Sequence, residues 1–207
     1  MATEQALMAI TSYSMYVNGS GKLYSLQVPN GAYSDLHAIS EWALPYVAKA
    51  SEQGLMEGIK TDASGQRFEP RRNISRAELT ALLLRILGEE PSKSFTPVYN
   101  DIKEGSWYSG YVLRAREKGI INGVTEVTFD PNKPVTRQEM AVMTARAFNL
   151  GEKASGSRIN DLDIASEWAR QAIEAVYDNG IMMGESNMFN PKGYVSREMA
   201  AAVGVRL

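Results

Sequence analysis

The stretch 73-NISRAELTALLLRI-86 predicts both the start of a helix and the face that it buries. Ser75 and Glu78 have the spacing of a capping box, in which the serine oxygen accepts from one free amide and the glutamate reaches back to another. The leucines that follow recur at helical spacing. Arg76 is left unexplained, because a cation at the first position faces the positive end of the helix dipole, where it is mildly unfavourable.

The same phrase recurs as 135-VTRQEM-140 and 195-VSREMA-200, within a repeat of about 60 to 66 residues. Each copy has a tryptophan, glycines twelve and sixteen residues after it, and an F-x-P triplet whose phenylalanine precedes the motif arginine by eight residues. So many matched spacings in three copies indicate a repeat architecture. The equivalent residues are Trp42, Trp107 and Trp168; Gly54, Gly119 and Gly180; Gly58, Gly123 and Gly184; Phe68, Phe129 and Phe189; and Arg76, Arg137 and Arg197.

Each copy is predicted to form a helix, a loop and a second helix. Apolar residues four, five and eight positions after the tryptophan mark one helical face, and the first glycine suits a left-handed cap at the end of that helix. The second helix begins at the Ser/Thr-Arg phrase. A short amphipathic hairpin cannot bury its stripe alone, so the copies should pack together. We expect an all-α fold with repeats at 34–92, 93–156 and 157–207, preceded by residues 1–33, which lie outside the repeat.

The composition excludes several classes of function. A hydrophobic content of 44% in 207 residues is enough for a core, while a net charge of −2 gives no basic field for nucleic acid or an anionic membrane. The chain has no cysteine and a single histidine, His37, which argues against thiolate or His-rich zinc sites. No P-loop, dinucleotide fingerprint or nucleophile elbow occurs. We therefore expect no enzyme activity, cofactor, metal, nucleic-acid partner or membrane partner.

Two explanations of the arginines follow from the residues alone. The guanidinium and the free amides of the helix start could hold one anion together, which would reverse the unfavourable dipole interaction. A structural salt bridge to an acidic residue of a neighbouring repeat would serve equally well. The second explanation predicts that Arg76→Ala lowers stability.

The repeated tryptophan, the Gly-x-x-x-Gly, the F-x-P and the phrases 74-ISRAEL-79 and 135-VTRQEM-140 resemble the S-layer homology (SLH) domain. Residues 34–207 resemble its usual set of three. The resemblance implies a pseudo-threefold fold with grooves between adjacent repeats. It also implies noncovalent anchoring of a surface protein to the peptidoglycan-linked secondary cell wall polysaccharide, through a pyruvate ketal on N-acetylmannosamine. The location would be the cell wall or S-layer of a Gram-positive-type bacterium, with lateral S-layer contacts as further partners.

The resemblance places Arg76, Arg137 and Arg197 at the pyruvate carboxylate. Three further sets are candidates for ligand contacts, each with an alternative. The aspartates that open the repeats could accept from sugar hydroxyls or cap a helix, and the tryptophans could stack on a sugar, although their apolar stripe favours core packing. The second glycines could admit the ligand or only form a turn. These sets are Asp35, Asp101 and Asp161; Trp42, Trp107 and Trp168; and Gly58, Gly123 and Gly184.

The third copy departs from the pattern. Met199 stands where the other copies have Glu78 and Glu139, so the third helix should lack a complete capping box. We align Glu198 with Ala77 and Gln138 without a gap.

Two alternatives to the anchoring module remain. The chain could be a helical-repeat scaffold for protein partners, or the anchor fragment of a larger surface enzyme. Residues 1–33 resemble the end of a helical-repeat domain of the terpene-cyclase type, which implies an upstream domain.

Overall fold

The computed structural model describes residues 33–60, 65–151 and 159–207. Within these ranges each repeat contributes two α-helices, which confirms the predicted all-α repeat architecture. The expected upstream tail at 1–33 lies outside the described residues except for Tyr33. The helices are α1 Leu44–Glu52, α2 Arg76–Ile86, α3 Ser109–Glu117, α4 Arg137–Ala147, α5 Glu167–Asp178 and α6 Arg197–Arg206.

Short elements complete the described fold. Three 3-10 turns, at Leu36–Ala38, Glu41–Ala43 and Leu162–Ile164, lead into the first helices of the first and third repeats. An antiparallel hairpin of two-residue strands, β1 Ile59–Lys60 and β2 Gln66–Arg67, lies in the loop of the first repeat, which is longer than its counterparts. None of the described helices is long and apolar enough to cross a membrane.

The main helix contacts run between repeats, not within them. The second helix of each repeat packs on the first helix of the next: α2 on α3, α4 on α5, and α6 back on α1. The last pair joins the third repeat to the first, so the three repeats form a closed ring. This order explains how hairpins with one apolar stripe each obtain a shared core.

Three backbone hydrogen bonds close the centre of the ring. The amide of Ile74 donates to the carbonyl of Val195 (2.9 Å), Val195 donates to Val135 (3.0 Å), and Val135 donates to Ile74 (3.1 Å). All three side chains are buried. Each residue directly precedes the helix cap of its repeat, so this ring sets the second helices, and therefore the motif arginines, in equivalent positions around the pseudo-threefold axis.

The two helices of a repeat differ in how much of their own surface is buried. In α2 every residue from Leu79 to Leu84 is buried, as expected of a helix with neighbours on several sides. The first helices bury one stripe, which includes the residues five and eight positions after each tryptophan. Gly54, Gly119 and Gly180 follow these helices with φ of 66°, 70° and 69°, which confirms the predicted left-handed caps.

Candidate ligand-binding grooves

Three surface grooves lie at the junctions between repeats, and each is lined by all three copies. One copy supplies the motif arginine, the next supplies a loop glycine and one face of its second helix, and the remaining copy supplies the tryptophan. We name each groove after its arginine. The Arg76 groove contains Gly123 and Trp168, the Arg137 groove contains Gly184 and Trp42, and the Arg197 groove contains Gly58 and Trp107.

Each motif arginine begins its helix and extends into the next repeat. Arg76 donates from Nε to the carbonyl of Phe129 (2.9 Å) and from Nη2 to the carbonyl of Asn122 (2.9 Å). These bonds span 53 and 46 residues of sequence. Charge-assisted hydrogen bonds of this kind are stronger than neutral ones, so they hold the junction as well as orienting the arginine.

The other two arginines repeat this arrangement. Arg137 donates to the carbonyls of Phe189 (2.6 Å) and Met183 (2.7 Å). Arg197 donates to those of Phe68 (2.7 Å) and Glu57 (2.8 Å), which joins the third repeat to the first.

Each guanidinium also lies over the ring of the phenylalanine that accepts from it. The distances from Cζ to the ring centroid are 4.8 Å for Arg76, 4.6 Å for Arg137 and 5.0 Å for Arg197, within cation–π range. Burial lowers the pKa of each arginine from its ordinary value. An arginine nevertheless stays protonated in a protein, so each junction holds a largely desolvated positive charge.

The amides at the helix starts are already bonded. The amide of Arg76 donates to the carbonyl of Lys133 (3.0 Å) and the amide of Ala77 to that of Pro131 (3.0 Å), and the other junctions have equivalent pairs. In the capping boxes, the side chains of Ser75 and Thr136 accept from the amides of Glu78 and Glu139, and these glutamates accept from the amides of the two cap residues. The idea that the guanidinium and free helix amides hold one anion together is therefore wrong, because the neighbouring repeat occupies those amides. Any anion must be bound by the side chains of the groove.

The third guanidinium nitrogen distinguishes the arginines. Nη1 of Arg197 donates to Oε1 of Glu78 at 2.9 Å, so the inter-repeat salt bridge considered from the sequence exists at this junction. For Nη1 of Arg76 and of Arg137, the described part of the chain offers no hydrogen-bond acceptor. These two arginines therefore keep both N–H groups of Nη1 for another partner.

The candidate aspartates hold the F-x-P loops. In each repeat the two carboxylate oxygens accept the amides of the phenylalanine and of the residue after it, at 2.6 to 2.9 Å. Asp35 and Asp161 are buried, and neither makes a side-chain cap to the 3-10 turn that follows. Since the loop carbonyl of the phenylalanine accepts from the motif arginine, these aspartates position the acceptor.

The tryptophans are on the surface. Trp42, Trp107 and Trp168 are 49%, 57% and 59% exposed, so the expectation of core packing is wrong. Each instead lines a groove opposite an arginine from another repeat. Tyr108 lies against Trp107 in an edge-to-face contact with 5.5 Å between the ring centroids. The other repeats have alanine at that position.

The second glycines line the grooves through their backbone. A Cβ on Gly58 would lie 2.5 Å from the ring of Tyr33, and one on Gly123 would overlap the carbonyl of Thr128. A Cβ on Gly184 would likewise overlap the carbonyl of Met188. Glycine is therefore needed for close approach within each loop. This favours the structural reading of these residues, while their place in the grooves keeps the ligand contact a prediction.

The third repeat has the predicted irregular cap. Ser75 and Thr136 form complete capping boxes with Glu78 and Glu139, whereas Ser196 accepts only from the amide of Met199 (3.3 Å). The ungapped alignment is supported by Arg85 and Arg206, which donate to equivalent loop carbonyls and lie over Tyr111 and Tyr46 of the next first helix.

Two further junction residues were aligned but given no role from the sequence. Gln138 exchanges hydrogen bonds with Ser166, and Glu198 accepts from the amide and hydroxyl of Ser40 at 3.0 and 2.8 Å. Both join a second helix to the turn before the next first helix. In the sequence these residues are recognisable as the polar residue that follows the motif arginine in the second and third copies. The first copy has Ala77 at this position, so the pattern is not shared by all three copies.

Comparisons with known proteins agree with this architecture. The profile of the S-layer homology domain matches residues 32–80, 98–141 and 158–201. The exoglucanase XynX of Acetivibrio thermocellus is 30% identical over 90% of this chain and 18% of its own length. The surface-layer 125 kDa protein of Lysinibacillus sphaericus is 31% identical over 82% of this chain and 14% of its own length. The cellulosome-anchoring protein of A. thermocellus is 27% identical over 67% of this chain and 33% of its own length.

The closed ring and its grooves define a three-repeat module with its candidate binding sites between the repeats. The chain belongs to the S-layer homology domain family, and it is an anchoring module of the bacterial cell surface. It spans a third or less of the length of the relatives described above, and it does not cover the catalytic parts of the enzymes among them.

Proposed function

We propose that the chain anchors a surface protein noncovalently to the cell wall by binding a pyruvylated secondary cell wall polysaccharide in the grooves between repeats. The observation that supports this best is the meeting of a motif arginine, an exposed tryptophan and a loop glycine from three different repeats in each groove. A pyruvate ketal on N-acetylmannosamine offers an anion and an apolar sugar face side by side, which are complementary to these two side chains.

The arginine would bind the carboxylate. Arg76 is only 6% exposed, and Nη1 has no acceptor among the described residues. Its other nitrogens are fixed by the loop of the next repeat, so the free donor is already oriented. A hydrogen bond to a carboxylate is stronger in such a partly desolvated site than in water.

The tryptophan would bind the sugar ring. A half-exposed indole leaves apolar surface in water, and its recurrence in three copies indicates a use for that surface. The indole face is large and rigid, so it can cover the apolar face of a sugar at a low cost in side-chain entropy.

The arginines also have a structural role, and the two roles do not conflict. Two nitrogens of each guanidinium bind loop carbonyls, which accounts for stability, and at Arg76 and Arg137 the third remains for a ligand. A scaffold for protein partners would need only the first role. It gives no reason for an exposed tryptophan opposite each arginine.

The similarity to parts of larger proteins leads to a proposal about the whole molecule. We infer that this chain is the anchor of a longer surface protein. Mass spectrometry of the protein released from intact cells tests this, because a product no longer than the present chain would contradict it.

The test of the binding proposal is a calorimetric titration with the pyruvylated N-acetylmannosamine monosaccharide. The control ligand is the same sugar without the ketal. We expect saturable binding of the pyruvylated sugar and none of the control at the same concentrations. Equal binding of both sugars would remove the carboxylate recognition assigned to the arginines, and binding of neither would contradict the proposed function.

A further inference from the structure

The three grooves differ in the group that faces the motif arginine. We infer that the carboxylate of Glu78 occupies the anion position of the Arg197 groove, so that the chain binds acidic wall ligand in the Arg76 and Arg137 grooves but not in the third. This inference rests on the proposed function, because it uses the carboxylate of the ligand. It identifies Glu78 as the residue that prevents the Arg197 groove from binding an acidic ligand.

Glu78 is fixed against Arg197 by several donors. Its Oε1 accepts from Nη1 of Arg197 at 2.9 Å, and the guanidinium of Arg72 donates to both oxygens of the same carboxylate. The amide of Ser75 donates to Oε2 at 2.9 Å. The side chains of Arg197 and Glu78 are 4% and 17% exposed. An acidic ligand would have to displace a carboxylate that is largely desolvated and held by two arginines, which is unfavourable.

The Arg76 groove has a glutamate at the equivalent helix position, but it is bonded elsewhere. Glu139 accepts from the amide and hydroxyl of Thr136, both at 2.8 Å, and from Nζ of Lys133 at 3.1 Å. It accepts no hydrogen bond from Arg76. The donor of Arg76 therefore remains available, although the capping box is the same as in the first repeat.

The Arg137 groove has no carboxylate at this position. Met199 replaces the glutamate, and Gly193 stands where the other repeats have Arg72 and Lys133. Arg137 bonds to two carbonyls and to no described acid. This groove is also the largest of the three, at about 840 Å³ against about 340 and 360 Å³. The absence of a glutamate at position 199 therefore favours anion binding at this junction.

The net charges of the groove linings favour binding of an anion in the same two grooves. The Arg197 groove has two arginines and two glutamates, Arg85, Arg197, Glu57 and Glu78, and is formally neutral. The Arg76 groove has three cations, Arg76, Lys133 and Arg146, against Glu139. The Arg137 groove has Arg137 and Arg206 against Glu185. Only the last two have a positive balance that attracts an anion.

The test counts bound ligands in Glu78→Gln and in its matched control, Glu139→Gln. Glutamine preserves the capping box in both variants, so both helices should start as before. The probe is the pyruvylated N-acetylmannosamine monosaccharide, titrated by calorimetry into the full chain. We expect two bound sugars for the wild type and for Glu139→Gln, and three for Glu78→Gln.

The outcomes separate this inference from the proposed function. Three sugars on the wild type, or an unchanged count in both folded Glu78→Gln and folded Glu78→Ala, would overturn the role of Glu78 and leave the anchoring proposal intact. Circular dichroism shows whether the variant is folded, and Glu78→Ala repeats the test if glutamine itself pairs with Arg197. No binding to the wild type would overturn both.

Discussion

Arg197 and Glu78 form an ion pair across the junction that closes the ring, with 2.9 Å between Nη1 and Oε1. The two residues are 119 positions apart in the sequence. Among the described residues, such a pair occurs at one junction only. All three repeats have the motif arginine and two have the glutamate, but Glu139 pairs with Lys133 and not with a motif arginine. Equivalent motifs therefore do not give equivalent grooves.

The pH dependence of stability should report on this pair. Burial by itself raises the pKa of Glu78, but the hydrogen bonds from Arg72 and Ser75 and the charge of Arg197 outweigh burial and hold the pKa below its ordinary value. A carboxylate whose pKa is lower in the folded state stabilises the fold above the unfolded pKa, and this contribution is lost as pH falls through the folded pKa. Glu78→Gln should therefore reduce the free energy of unfolding at pH 7.

Urea unfolding between about pH 7 and pH 3 is the measurement. The free energy of unfolding of Glu78→Gln should fall less steeply than that of the wild type at the acid end. Glu126→Gln, at an exposed loop position, is the control and should follow the wild type. If Glu78→Gln also parallels the wild type, the ion pair does not contribute to stability.

Met199 allows the effects of the cap and of the charge to be separated. Met199→Glu and Met199→Gln both complete a capping box at α6, which should raise the free energy of unfolding by about 0.5 kcal/mol. Only the glutamate brings a carboxylate towards Arg137, so only Met199→Glu should weaken binding of the pyruvylated sugar in that groove, by about tenfold. Calorimetry and urea unfolding of both variants test this, and equal affinities would contradict it.

The aspartates should matter for folding more than for direct contact with the ligand. Asp161 accepts the buried amide of Phe189 and the partly buried amide of Asn190, both at 2.7 Å, and an asparagine would leave one of these donors without an acceptor. Asp161→Asn should lower the free energy of unfolding by about 2 kcal/mol. Asp163→Asn, two residues away and exposed, is the control and should change it by less than about 0.5 kcal/mol. Similar unfolding curves for the two variants would show that the carboxylate does not hold the loop.

The exposed tryptophans should matter for ligand binding, and their removal should leave the chain folded. Trp168→Ala should lower the free energy of unfolding by no more than about 2 kcal/mol, because the side chain is 59% exposed. It should weaken the Arg76 groove for the sugar by about tenfold, through loss of the stacking surface. Val127→Ala is the control, since Val127 is 53% exposed and lies outside the groove linings. Unchanged binding in Trp168→Ala would place the sugar elsewhere.

The sequence predicted the features that depend on local chemistry. The helix starts, the left-handed caps and the two capping boxes each follow from residues within a few positions of one another. The core packing predicted for Trp42, Trp107 and Trp168 was wrong for a geometric reason. At about 100° per residue, the buried positions one, five and eight after Trp168 are centred roughly 100° away from it, so the tryptophan lies beside the stripe.

The contacts between repeats could not be predicted from spacing within a repeat. Each motif arginine stands eight residues after a phenylalanine of its own copy, yet Arg76 binds Phe129 of the next copy. The order of the copies around the ring is set by the packing of helices from different copies. The pairing of Arg197 with Glu78, and the lack of such a pair at Arg137, follow from that order.

Sedimentation with purified wall sacculi tests the central proposal most directly. The chain should pellet with native sacculi and remain in the supernatant when the sacculi lack the ketal pyruvate, because the grooves then lose the anion that their arginines bind. Equal sedimentation with both kinds of sacculi would contradict recognition of the pyruvylated polysaccharide.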